Sequence, residues 1–227
     1  MTITTCIFDA YGTLFDVTSA ARIAAAEPGN EALAECWPRI AQDWRLRQVQ
    51  YTWLRTIMQD HADFWHITQD ALDWTLEAHG LAGSVLRERL LSLYRKLDAY
   101  PEVPQMLAAL KSAGLNTAIL SNGSPDMLEA AVGSAGIGNV LDDILSAEAC
   151  RIFKPARAIY DLVPARFGAA PDEVLFVTSN GWDAAGAAAY GFVVAWVNRD
   201  GDPVERLPGR PVHVLADLTE IPALMGV

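Results

Sequence analysis

An α/β fold, with a parallel sheet and a helical subdomain inserted after the first strand, follows from three features of the 227-residue chain. A short apolar run, Thr4 to Phe8, stops abruptly on Asp9, with Gly12-Thr13 close behind; a buried strand that hands a carboxylate to a loop has this form. From about Val17 to Leu97, apolar residues recur at helical spacing and strand-like runs are few. From Tyr100-Pro101 onward, helices and short apolar strands alternate. That alternation means parallel strands joined by right-handed helical crossovers.

In the helical stretch the spacing predicts five helices: Ser19 to Ala26, Leu33 to Gln50, Tyr51 to Asp60, Thr68 to Ala78 and Val85 to Lys96. Thr68 is the expected cap of the fourth, which His79-Gly80 closes with a cation near the C-terminus and a glycine just beyond it. The stretch reads as an all-helical insertion packed on itself. After Tyr100, Pro104 to Ala113 reads as a helix ended by Gly114, and Leu115 to Leu120 as a strand ending on Ser121-Asn122-Gly123. Ser124-Pro125 is an N-cap followed by proline at the first helical position, which opens a helix to Ala135. Ile144-Leu145 is a short strand and Arg157 to Phe167 a helix. Val174 to Val177 is a buried strand that ends on Thr178-Ser179-Asn180-Gly181-Trp182-Asp183. Ala184 to Tyr190 is a helix stopped by Gly191, Phe192 to Val197 a further strand, and Asp202-Pro203 to Pro211 a loop. The tail carries one more strand, Val212 to Ala216, and a weak terminal helix.

The composition narrows the functional classes. Apolar residues make up 52% and charged residues 20%, which suits a compact core and argues against disorder. A formal net charge of −11 disfavours nucleic acid and anionic membrane surfaces as partners, while leaving room for a small anionic substrate bound by a local arginine or lysine. Cys6, Cys36 and Cys150 are odd in number and lack metal-ligand spacing, as expected of reduced cysteines in the cytosol. No signal-peptide pattern opens the chain and no apolar run reaches membrane-spanning length, so a cytoplasmic protein is expected.

Three separate strands stop on polar residues: Asp9, then Ser121-Asn122, then Thr178-Ser179-Asn180 with Asp183. Lys154-Pro155 lies between the second and third. In open α/β sheets, ligands bind outside the carboxyl ends of the strands. A single such ending is common turn chemistry, and Asp9 alone could merely cap a turn. Three of them with an intervening lysine are hard to explain that way.

Phe8-Asp9-Ala10-Tyr11-Gly12-Thr13-Leu14, Ser121-Asn122-Gly123, Phe153-Lys154-Pro155 and Ser179-Asn180-Gly181-Trp182-Asp183 resemble, in order, the four motifs of the haloacid dehalogenase superfamily. In detail they resemble its L-2-haloacid dehalogenase family, and Trp44-Arg45 with Gln48 to Arg55 is similar to that family's helical-cap signature. The resemblance covers essentially the whole chain. It implies a Rossmann-like core (residues 1–16 and 98–227) with a helical cap subdomain (17–97), a covalent aspartyl intermediate, no metal or other cofactor, and a homodimer.

The residues themselves favour carbon over phosphorus as the electrophile. A phosphatase of this fold needs a second aspartate two residues after the nucleophile; here that position is Tyr11, a poor acid at neutral pH. Ser179 stands where such an enzyme has its first metal-binding aspartate, which leaves a hard cation with few charged ligands. Halide displacement asks instead for a carboxylate nucleophile, donors for the halide, an anchor for the substrate carboxylate and a base for the second step. Asp9 is the expected nucleophile. The resemblance puts Lys154 near it, where its charge keeps the carboxylate ionised. Thr13 and Ser121 would orient Asp9 and bind the substrate carboxylate. Asp183 would activate the water that attacks the Asp9 ester, with Asn180, Ser179 and Thr178 positioning it. Asp183 could alternatively cap its helix, or do both. Arg45 matches the halide-cradling arginine; Asn122 and Trp182 complete that pocket, Tyr11 and Phe64 form its apolar wall, and Leu46 and Tyr160 belong to it by the same resemblance. Arg39, Arg47 and Arg55 are expected as surface ion-pair partners, and Tyr51, Trp53, Trp65 and Trp74 as packing within the helices. The four histidines match no ligand spacing and receive no role.

Two positions depart from the family pattern. Leu46 follows the cap Trp-Arg where glutamine is typical, and Thr178 stands where serine is usual. The expected reaction is metal-independent hydrolysis of short L-2-haloalkanoic acids to D-2-hydroxy acids and halide. The competing readings are a Mg²⁺-dependent phosphatase of the same superfamily and a non-catalytic binding protein that keeps the pocket.

Overall fold

The computed structural model describes residues 2–227. Its centre is a six-stranded, all-parallel sheet: β1 (Thr5–Phe8), β2 (Asn116–Ser121), β3 (Asp143–Ser146), β4 (Val174–Thr178), β5 (Val193–Val197) and β6 (His213–Leu215), in the order β3-β2-β1-β4-β5-β6. The chain builds outward from β1 to β3, then returns to the other side of β1 for β4. The strand order therefore reverses at β1, and the crevice outside its carboxyl end is where such sheets bind ligands. Register puts the strand ends together: Phe8 lies beside Ile119 and Val177. The Asp9 N–H continues that ladder by donating to the Val177 carbonyl at 2.9 Å. β1 and β4 are buried throughout, as the unbroken apolar runs require of strands covered on both faces.

Five helices lie between β1 and the rest of the sheet: α1 (Ser19–Ala25), α2 (Glu31–Ala34), α3 (Trp37–Met58), α4 (Phe64–Ala78) and α5 (Ser84–Tyr94). Six follow: α6 (Val103–Ser112), α7 (Pro125–Ala135), α8 (Arg157–Tyr160), α9 (Leu162–Phe167), α10 (Gly181–Tyr190) and α11 (Ile221–Leu224).

Four local expectations are corrected. The helices expected at 33–50 and 51–60 are instead a short α2 and a single 22-residue α3. Pro38 lacks an N–H and is tolerated in a first turn, so the helix restarts at Trp37; nothing between Arg39 and Met58 breaks it. α4 starts at Phe64, capped by Asp63, whose carboxylate accepts the His66 N–H at 2.8 Å. Thr68 is therefore interior, its hydroxyl donating to the Phe64 carbonyl at 2.7 Å. The helix expected over 157–167 breaks at Asp161, because Pro164 has no N–H to offer the Tyr160 carbonyl.

The helical stretch is tied to the sheet by one carboxylate. Glu148, after β3, accepts the Phe64 N–H at 2.9 Å, and its other oxygen lies 2.9 Å from His61 Nε2. His61 also packs face to face on Phe153, the residue before Lys154. The three cysteines are free.

Candidate active site

Asp9 follows β1 directly, so its position is fixed by a fully buried central strand of the sheet. Both of its oxygens are engaged. Oδ1 accepts from Lys154 Nζ at 3.2 Å; Oδ2 accepts from Asn180 Nδ2 at 2.8 Å and from the Thr13 hydroxyl at 3.0 Å. With its one proton on Asp9, the Thr13 oxygen accepts the Ser179 N–H at 2.8 Å. The loop after β1 is thereby stitched to the loop after β4. Gly12 makes the turn possible: its φ is +90°, and a Cβ there would meet the Ser179 hydroxyl at 3.1 Å.

Lys154 is 1% exposed and bridges two carboxylates, reaching Asp183 Oδ2 at 2.8 Å as well as Asp9. Its backbone N–H is held by Asn122 Oδ1 at 2.9 Å. A buried ammonium persists only when paired in this way. Asp183 is fully buried; its other oxygen accepts the Tyr160 hydroxyl at 2.7 Å. Burial pushes the Asp183 carboxyl above the ordinary carboxylate range, with Lys154 and the Tyr160 hydrogen bond opposing that shift. Burial likewise raises the Tyr160 phenol, which stays protonated and can only donate to the carboxylate.

Asp183 sits in the first turn of α10, and Asn180 occupies the N-cap position. The capping role for Asp183 does not hold, and its side chain is free for Lys154 and Tyr160. Thr178 acts through Asn180, whose N–H it accepts at 3.1 Å. Ser121, expected to orient Asp9, makes no hydrogen bond to it and instead secures its own loop, accepting the Gly123 N–H at 3.1 Å. Gly123 is tightly confined; a Cβ there would stand 2.7 Å from the Tyr11 ring.

Arg45 reaches this cluster from α3. Nη2 donates to the Tyr11 carbonyl at 3.1 Å and to Asn180 Oδ1 at 3.4 Å, while Nη1 donates to Gln48 Oε1 at 2.8 Å. Asn180 therefore touches both Asp9 and Arg45, and the guanidinium faces the reaction centre. Arg45, Leu46, Asn180 and Trp182 line one cavity of about 510 Å³.

Four residues expected in the halide pocket lie elsewhere, Asn122 among them, its amide oxygen holding the Lys154 N–H. Tyr11 and Phe64 pack ring against ring, 5.7 Å apart, with Tyr11 also stacked on Tyr94 and Phe64 on Phe153. They are wholly buried and do not line that cavity. Tyr160 is packed among Phe176, Tyr190 and Phe192 and serves Asp183. Among the other arginines, Arg39 and Arg55 form the expected exposed ion pairs, whereas Arg47 lies 3.6 Å over the half-exposed Trp74 ring.

Three contributors escaped the sequence reading. Gln48, 1% exposed, holds Arg45 and also bonds Thr68 and Tyr94. Val49 and Trp53 line the cavity, Trp53 meeting Trp182 edge to face at 5.4 Å. The available signal was helical spacing: Gln48 and Val49 stand three and four residues after Arg45 and share its face.

Residues 3–191 match the sequence profile of the haloacid dehalogenase-like hydrolases. The sheet order, the aspartate after β1 and the lysine between two carboxylates define this chain as an enzyme of that class. The chain is 42% identical to (S)-2-haloacid dehalogenase 1 of Pseudomonas sp. (strain CBS-3), over 97% of its own length and 95% of that protein's. It is 43% identical to (S)-2-haloacid dehalogenase 4A of Burkholderia cepacia, over 97% and 94% respectively. It superposes with a TM-score of 0.86 on the L-2-haloacid dehalogenase of Xanthobacter autotrophicus with chloropropionic acid covalently bound, at 39% identity, covering 99% of this chain and 98% of that one. The chain belongs to the (S)-2-haloacid dehalogenase family.

Proposed function

We propose that this enzyme hydrolyses short L-2-haloalkanoic acids to D-2-hydroxy acids, releasing halide through an ester on Asp9. The observation that carries the reading is the buried run Asp9–Lys154–Asp183 with Arg45 facing it across Asn180. Asp9 Oδ attacks C2 from the face opposite the halogen, so the C–O bond forms as the carbon–halogen bond breaks and the configuration inverts. The Lys154 ammonium offsets the charge of Asp9 and Asp183, and Arg45 receives the departing anion. Thr13 and Asn180 hold the nucleophile in line. Water then attacks the carbonyl carbon of the ester, its proton passing to Asp183; the acyl C–O bond breaks, the product alkoxide takes that proton as it departs, and Asp9 is restored carrying an oxygen from the water. An Asp183 raised above the ordinary carboxylate range is the stronger base for that step.

The phosphatase reading fares worse on the donor set. Tyr11 is an apolar ring packed against Tyr94, with no second acid at that position, and Ser179 offers only a neutral hydroxyl. The protein's own ammonium already pairs with both carboxylates. Residues 17–97 would act as the helical cap, carrying Arg45 to the core. A homodimer is supported by the apolar patch of exposed Leu54, Ile57 and Met58 on α3 with Trp74 on α4. The free cysteines support a cytoplasmic setting. No helix among the described residues is long and apolar enough to cross a membrane.

Single turnover in H₂¹⁸O followed by peptide mass analysis tests the reading: the label enters the peptide holding Asp9. Chloride release from L-2-chloropropionate in EDTA, and none from the D enantiomer, is the accompanying result. Phosphate release that EDTA abolishes, with no dehalogenation, would replace this reading with the phosphatase one.

A further inference from the structure

The cavity beside Arg45 is larger than the reaction requires. It holds about 510 Å³, whereas the reacting atoms are a carboxylate, one carbon and one halogen. Arg45 and Asn180 mark its reaction end. The remainder is built largely from one face of α3, where Pro38, Ala41, Arg45, Val49 and Trp53 recur at spacings of three and four. Arg45 is the only charged residue that α3 contributes to that lining; Gln42, Thr18 and Asp200 add polar groups to a wall that is otherwise mostly apolar. Trp53 meets Trp182 edge to face at 5.4 Å, and both rings line this space. Leu46 stands next to Arg45, half exposed, its side chain lining the same space. An amide at that position would have to be desolvated without a partner against any methylene chain lying there.

We infer that this cavity takes the alkyl chain of 2-haloacids longer than propionate, and that Leu46 sets the preference for chain length. The inference rests on the dehalogenase reading for its substrate class, but not for the binding of the chain. Each added methylene enters apolar surroundings and tightens binding roughly fourfold. The preferred substrates are therefore the butyrate-to-hexanoate members, with haloacetate the poorest.

Two measurements on the intact enzyme decide it. Calorimetric titration with unhalogenated propionate, butyrate and hexanoate should show Kd falling roughly fourfold per methylene. kcat/KM for L-2-chloropropionate, L-2-chlorobutyrate and L-2-chlorohexanoate should rise along the same series. L46Q should collapse the hexanoate-to-propionate ratio at least tenfold in both measurements. A flat or falling alkanoate series, or a ratio that L46Q leaves unchanged, overturns the inference. Tightening alkanoate binding with no turnover of any halide sustains the chain site and overturns the dehalogenase reading instead.

Discussion

The two ends of the site are built on opposite principles. Around Asp9, Lys154 and Asp183, every carboxylate oxygen has a donor and almost no surface is open. Beyond Arg45, the wall of α3 is open and mostly apolar, with Gln42 its one amide. The closed end has one arrangement and one chemistry, because moving any member strands a buried charge. The open end can change its side chains at the cost of contact area alone. Reaction type is thus held by the strand ends and substrate choice by a helix face.

Substitutions should separate the two ends by size of effect. Asp9→Ala removes the nucleophile and should reduce halide release to background in a chloride assay. Lys154→Ala leaves two buried carboxylates uncompensated and should cost about 3–5 kcal/mol of stability in urea unfolding, besides activity. Arg45→Ala should lower kcat by about a hundred- to a thousandfold, the scale of one lost donor to a developing anion, with the fold intact by circular dichroism. Unchanged kcat and KM there would detach α3 from the chemistry. Gln48→Ala strands the donors and acceptor that it satisfies and should cost about 1–3 kcal/mol of stability. It should also raise KM more than it lowers kcat, since Arg45 remains present but loosely held. The smallest effect belongs to Tyr160→Phe. Asp183 must be ionised to act as a base, so activity is lost as pH falls through its raised pKa. Removing the hydrogen bond that favours the ionised form moves that acid limb to higher pH while leaving the alkaline side in place. A limb that stays put would take Asp183 out of the base role.

The same contrast explains what could be read in the sequence. The closed end was legible because three apolar runs that stop on polar residues, the first on a carboxylate, have few other uses together; Asp9, Lys154, Asn180 and Asp183 meet there. Parallel strands and their order of appearance followed from the same runs. The open end was harder, since a helix face shared by two neighbours blurs the apolar period. α3 therefore read as two segments, and Trp53 passed for internal packing. Tyr11 and Phe64 were assigned to a pocket wall on residue type, and the structure packs them against other rings. Tyr160 was given to the halide pocket, yet its hydroxyl belongs to Asp183, a pairing across two helices that no spacing reveals. Thr68 yielded its capping role to Asp63 because an aspartate in extended backbone just before an aromatic run is the better cap.

The central position of β1 has a consequence for biosynthesis. Thr5 finds its sheet neighbours at Asn116 and Val174, so the strand that leaves the ribosome early must wait for both before it is sandwiched. Contacts so distant along the chain make for slow, late assembly, and until β4 forms the apolar strand lacks its neighbour on one side.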